Sequence, residues 1–207
     1  MASWEQWMPE LSLAAPTAPV PLLHLCLNRA ARTFLRRTRA WREWLEPATT
    51  TGEKFQEYTF ELPQGSELFL LERATMDGRP IGVANAGVMS ADPWRVEEGG
   101  GQAHLISTDL RSFTVGARAG AGQLQVYVLL QPTLRATTIP DTIAALYHEG
   151  IREGAKAELL NTSGTDYYRP DQAAVSFALF NQAIDDASVE VWRGNTGRLP
   201  RGRIAWL

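Results

Sequence analysis

Apolar residues recur every three to four positions near both ends of this chain and every second position through its middle. One kind of element cannot serve both periods, because a helix repeats its faces every 3.6 residues and a strand every two. From Leu22 to about Leu45 the period is helical. Leu22, Cys26, Ala30 and Phe34 recur every fourth residue, with Leu23, Leu27, Ala31 and Leu35 beside them, while Arg29, Arg32, Arg36 and Arg39 occupy another face. Pro47 and the Thr49–Gly52 cluster stop this helix. Across 53–135 the period drops to two. Gln56, Tyr58, Phe60 and Leu62 alternate with Phe55, Glu57, Thr59 and Glu61, Asp77-Gly78 is a hairpin signal, and Leu124, Val126, Val128 and Leu130 share one face. About six short strands are expected here, with an exposed glycine-rich loop at 99–101.

Helical spacing then returns. Ile139-Pro140-Asp141 places a proline and an acid in a first turn, and Ile143, Tyr147, Gly150 (or Ile151) and Gly154 follow one stripe to Asn161. The glycine pair is read as a packing site. Pro170 opens a third helix whose Phe177, Phe180, Ile184, Ala187 and Val191 are expected to face inward, with Gly194 as its cap. At the other end, Pro9, Pro16, Pro19 and Pro21 confine the first residues to an irregular arm with one short amphipathic turn.

The expected fold is therefore α+β. A helical bundle formed from both chain ends carries an inserted antiparallel β sandwich or barrel lobe and an extended C-terminal tail. The boundaries are an arm at 1–21, helical parts at 22–47 and 138–194, a β lobe at 48–137 and a tail at 195–207. A chain of 207 residues with 44% hydrophobic content buries enough surface to fold without metal or disulfide. The lone Cys26 excludes an intrachain disulfide and any zinc site built on several cysteines. Met1–Glu10 has neither a basic start nor a continuous apolar run, so no signal peptide is expected, and no apolar stretch nears the roughly 18 residues of a membrane span. A cytosolic protein fits these features.

Chemistry-bearing constellations are sparse. His24, His104 and His148 are scattered, with no pair at metal-ligand spacing. His148-Glu149 beside Tyr147 reads as a solvated helix face more readily than as an acid–base site. Glu97-Glu98 and Asp185-Asp186 are sequence neighbours whose carboxylates point apart rather than converging on one bond. Ser66 and Ser163 lack the glycine-flanked hydrolase elbow, and Gly116, Gly120 and Gly122 miss the dinucleotide fingerprint. Asn161-Thr162-Ser163 matches a glycosylation triplet, which carries no information without a secretory route. No catalytic residue, cofactor or metal is expected.

Basic residues are the remaining signal. The net charge is −3, yet Arg29, Arg32, Arg36, Arg37, Arg39 and Arg42 crowd one predicted helix, and Arg193, Arg198, Arg201 and Arg203 crowd the end. The helical set serves either as a face for DNA phosphates or acidic protein, or as a solvated surface paired with local carboxylates such as Glu43 and Glu46. The terminal segment, closing on Ile204-Ala205-Trp206-Leu207, is too short to fold alone and is expected to dock. Terminal tryptophans (Trp4, Trp7, Trp41 and Trp44, then Trp192 and Trp206) also point to packed ends.

In their order, these pieces resemble the head-to-tail adaptor (connector, or tail tubular A-like) proteins of tailed bacteriophages. The resemblance rests on the arm from Trp4 to Pro21, followed by Ala30, Ala31, Phe34, Arg37, Thr38, Trp41 and Arg42. Leu62-Pro63-x-Gly65, the Asp77-Gly78 hairpin and Leu130-x-Pro132 come next, before Ile139-Pro140-Asp141 with Tyr147, Gly154, Ala155, Leu159 and Leu160. Tyr168-x-Pro170-x-x-Ala173, Phe177, Phe180, Ile184 and the arginine-rich tail complete it. Leu35 departs from the cysteine often found after the phenylalanine, and 83–122 matches little. The resemblance implies a subunit of a homo-oligomeric, dodecameric ring between portal and tail, forming part of the DNA exit channel. Its partners would be further copies of itself, the portal protein and tail or neck proteins, with packaged DNA passing through without sequence-specific recognition and no membrane involved. It would reside in the virion neck, and in host cytoplasm during assembly. The portal-docking tail would use Arg198, Arg201, Arg203, Ile204 and Trp206, and Arg29, Arg32, Arg36 and Arg39 would form a basic inter-subunit or channel face. A tail terminator, a neck stopper or a DNA-binding phage protein are the alternatives.

Overall fold

A computed structural model describes residues 1–52, 56–85, 104–107, 110, 112–115 and 121–194. The protein is mixed α and β, with four α-helices and mostly antiparallel strand pairing among the described residues. In chain order the elements begin with β1 (Ala2–Ser3), a 3₁₀ turn at Trp4–Trp7, α1 (Met8–Ala14) and α2 (Val20–Thr38). There follow β2 (Arg42–Trp44), β3 (Ala48–Thr51), β4 (Glu57–Thr59), β5 (Ser66–Met76), β6 (Arg79–Asn85), β7 (His104–Ser107), β8 (Ser112–Val115) and β9 (Ala121–Pro132). Last come β10 (Thr138–Ile139), α3 (Asp141–Leu160) and α4 (Pro170–Trp192). The chain forms two compact units, one from Met1–Ala40 with Pro132–Leu207 and the other from Trp41–Gln131.

In the first unit, α2, α3 and α4 pack on one another. Gly150 and Gly154 of α3 allow their close approach. A Cβ on Gly154 would lie 2.6 Å from the Phe180 ring and 3.0 Å from the Ala30 Cβ, and one on Gly150 would lie 2.9 Å from the Ala183 Cβ and 3.0 Å from the Phe34 ring. Phe34 is fully buried, 5.1 Å from the Tyr147 ring and 6.2 Å from the Phe180 ring between centroids. Inward-facing Phe180, Ile184, Ala187 and Val191 of α4 are buried as their spacing predicts. Phe177 is not. It is 57% exposed, because α4 is apolar on more than one side and only one of those sides meets α2 and α3.

The first residues are ordered rather than irregular. Pro9 occupies the first turn of α1, where a missing N–H costs no helical bond. Trp4 donates from Nε1 to the Ala136 carbonyl at 2.7 Å, and β1 pairs with β10. Trp7 donates from Nε1 to the His148 carbonyl at 3.1 Å and stacks on the His148 ring at 4.7 Å. That contact adjoins a kink in α3, where Tyr147 leaves helical geometry (φ −123°, ψ 18°). Buried Asn28 holds the segment before β10 from α2, donating to the carbonyls of Thr133 and Ala136.

The predicted helix to Leu45 stops at Thr38. The Thr38 hydroxyl donates to the Phe34 carbonyl, and Arg39 takes a left-handed conformation (φ 56°) whose N–H donates to the Leu35 carbonyl. Residues beyond it join a strand ladder. Leu130 N–H donates to the Trp41 carbonyl, Leu45 N–H donates to the Val126 carbonyl, and Arg42–Trp44 pairs antiparallel with β9. This long-range pairing outweighs local helical preference. Arg42 therefore belongs to a strand, with Nε 3.8 Å from Glu72, and not to the arginine helix.

In the second unit the strand order is β2-β9-β5-β6-β7-β8-β4, with β3 also on β9. Asp77 (φ 49°) and Gly78 (φ 75°) form the two-residue turn between β5 and β6. Positive φ at both positions gives the turn a twist that suits the paired strands. Leu124, Val126, Val128 and Leu130 of β9 are fully buried on one face. One pairing departs from the expected antiparallel lobe: β6 and β7 run parallel, with Val83 opposite Leu105. The glycine run at 99–101, Glu97-Glu98, Gly116 and Gly120 lie outside the described residues.

Candidate assembly face

The first half of α4 is apolar around most of its circumference. Ala173-Ala174-Val175-Ser176-Phe177-Ala178-Leu179-Phe180 holds one polar residue in eight, and that residue, Ser176, is buried. Ala173, Ser176 and Phe180 face α2 and α3, which leaves Val175 (61% exposed), Phe177 and Leu179 in solvent. A helix that is hydrophobic all round belongs inside a larger core, and these side chains, on two flanks of α4, are left uncovered among the described residues.

Two recesses flank this helix. Between α2, α3 and α4 lies an open groove of about 510 Å³, with Ala30, Gly154, Ala157, Ala174, Phe177 and Phe180 among its walls. At its rim Arg29 donates to Glu158 at 2.6 Å. That hydrogen bond, with the carboxylate's charge, holds the guanidinium pKa above its usual value. On the opposite flank, Val175 and Leu179 border a shallower recess of about 310 Å³ with Glu153 and Lys156. Cys26 of α2 is buried, and its thiol pKa is pushed up to about 12 by desolvation first and by Glu158 second, against the opposing pull of Arg29.

The predicted basic residues have varied surroundings. Arg29 reaches α3, Arg32 donates to the Pro132 carbonyl at 2.5 Å, and Arg37 donates to Asn181 of α4 at 2.6 Å. Arg36 is exposed on α2, Arg39 follows it at the helix end, and both have interaction partners. The cationic stripe thus partly knits the helices together. Arg198, Arg201, Arg203, Ile204 and Trp206 lie outside the described residues. Among the described residues no helix is long and apolar enough to cross a membrane, and no group of three metal-ligating side chains occurs.

Sequence reasoning passed over Val175 and Leu179 and assigned Phe177 inward. A signal was present. Seven apolar residues in eight exceed what one helical stripe can use, so part of that run had to point away from α2 and α3. Neither a protein-family model nor a curated protein sequence matches the chain.

Proposed function

We propose that this chain is a structural subunit of the head-to-tail adaptor of a tailed bacteriophage, assembling as a ring between portal and tail. The exposed apolar run Val175–Leu179 on α4 carries this reading. Such a surface is suited to burial against further copies, and a ring uses two different faces of each subunit, as the two flanks of α4 provide. The first unit is read as a bundle built from both chain ends, and the second as an inserted sandwich or barrel. The ordered sequence motifs from Trp4 to Tyr168-x-Pro170 supply the specific assignment to adaptors. The tail, with Arg198, Arg201, Arg203, Ile204 and Trp206, would dock on the portal. There an aromatic anchor and cation–carboxylate pairs supply affinity, multiplied by repetition around the ring.

Truncation after Gly197 tests this directly. The shortened protein is expected to fold, by circular dichroism, and to fail to join portal-bearing heads. Infectious particles assembled from truncated protein would refute tail docking. A tail terminator or neck stopper would use the same apolar face, since these too form rings. Imaging the subunit in an assembled neck separates them by order relative to the portal.

A further inference from the structure

We infer that each subunit buries Val175 and Leu179 of α4 in the groove between α2, α3 and α4 of a second copy, with the aspartates beside them set against the arginines of that copy's α2. This deepens the ring reading and rests on its claim that copies meet through α4. Val175 and Leu179 stand one turn apart, exposed on the flank of α4 that borders Glu153 and Lys156 of α3. The groove lies on the other flank, walled by Ala30, Gly154, Ala174 and Phe177, and its volume of about 510 Å³ has room for two branched aliphatic side chains. Both flanks belong to one helix, so a subunit's own Val175 and Leu179 cannot turn into its own groove. An apolar ridge and an apolar recess on opposite flanks are satisfied together only by another copy. Such a contact is head to tail, and it generates a ring when the rotation between copies closes.

Charge selects the same two surfaces. α4 carries Asp171, Asp185, Asp186 and Glu190 and no lysine or arginine. α2 carries Arg29, Arg32, Arg36 and Arg37 and no acid. Asp171 lies one turn before Val175 and Asp186 lies seven residues beyond Leu179, which places both along the same stripe of α4. Both aspartates are exposed and have no ion-pair partner among the described residues, and the nearby Lys156 is matched by Glu153 at 4.0 Å. At the groove, the charge of Arg29 is already met by Glu158. Arg37 differs: it is exposed at the end of α2, and its acceptor is the neutral side chain of Asn181. Arg36 beside it is exposed as well. A guanidinium has five N–H donors, so a partner within the subunit leaves others for a carboxylate from outside.

The test is a charge swap, read by sedimentation velocity at high micromolar concentration and low salt with no phage component present. Wild-type protein is expected to self-associate, and more weakly as salt is raised. Asp171→Lys with Asp186→Lys on α4 should raise the concentration for half-association at least about tenfold, because like charges then meet across the contact. Arg36→Glu with Arg37→Glu on α2 should do the same. Mixed in equal amounts, the two variants should regain most of the association, since each offers the other a charge-matched surface on both sides. All four side chains are exposed, and circular dichroism checks that both variants fold. A wild-type protein that stays monomeric, a variant that associates as wild type does, or a mixture no better than its components would each overturn the proposal. Joining of portal-bearing heads by wild-type protein is scored separately. Heads joined despite a failed swap would leave the adaptor reading standing without this contact; a successful swap with no joining would leave the contact standing without the adaptor.

Discussion

Replacing Gly154 by alanine sets two opposing effects against each other at a close helix contact in the first unit. Alanine is favoured over glycine inside a helix by about 1 kcal/mol, which by itself would stabilise α3. The new methyl, however, would sit 2.6 and 2.7 Å from two Phe180 ring carbons and 3.0 Å from the Ala30 Cβ. Ala30 cannot yield without moving α2. Phe180 is 4% exposed, and shifting its ring towards the groove would spoil its contact with Phe34. Overpacking of this kind costs roughly 1–3 kcal/mol, which after the propensity gain leaves a net loss of up to about 2 kcal/mol. For a protein of this size that lowers the melting temperature by up to about 8 °C, measured by circular dichroism and checked by urea denaturation. Combining Gly154→Ala with Phe180→Leu should cost less than the two single changes added, because the smaller side chain relieves the clash. A melting temperature that rises in Gly154→Ala would show that helix propensity prevails and that the close approach is not what the glycine provides.

Two further outcomes follow from the same core. Phe34→Ala, at a fully buried ring, is expected to destabilise by about 3–5 kcal/mol; an unchanged thermal transition would show that the ring is not in the core. The Cys26 thiol should resist Ellman's reagent at pH 8 until urea unfolds the chain. Because its folded pKa is raised from 9.0 to about 12, the unfolded state loses its thiol proton first, so this group's stabilising effect declines as pH rises through that window. Relative to Cys26→Ala, the urea midpoint of the parent should therefore fall above pH 9.0; a constant difference would contradict the burial of the thiol.

What was legible in the sequence follows the range of the interactions involved. Asp77-Gly78 announces its turn because both residues tolerate positive φ, and β9 announces its buried face because Leu124, Val126, Val128 and Leu130 alternate with more polar neighbours at Gln123, Gln125 and Tyr127. Pro170 and Gly194 likewise bracket α4 through local backbone chemistry. The end of α2 was not legible. Its cap is Arg39, not glycine, and the ladder that draws Trp41–Leu45 away from the helix is supplied by residues some 85 positions later, a separation no local window contains. The arm's fate was hidden for the same reason, since Trp4 and Trp7 find their acceptors at Ala136 and His148. The candidate face was half legible. A run as apolar as Ala173–Phe180 signals that more than one side of α4 seeks cover, but periodicity alone cannot say which side α2 and α3 take. The parallel register of β6 and β7 had no signal at all, because the intervening 86–103 matches no pattern that distinguishes a hairpin from a crossover.

The hydrogen bond from Leu130 N–H to the Trp41 carbonyl means that the β unit begins and ends on one rung. Its two termini are neighbours, so excising 41–131 would leave a gap in the remaining chain that a few residues could bridge, and the excised piece would already have its ends clasped. A module whose two ends meet on one rung can be exchanged for another of different size without re-threading its host, which makes this boundary the natural place to graft, shorten or swap the lobe.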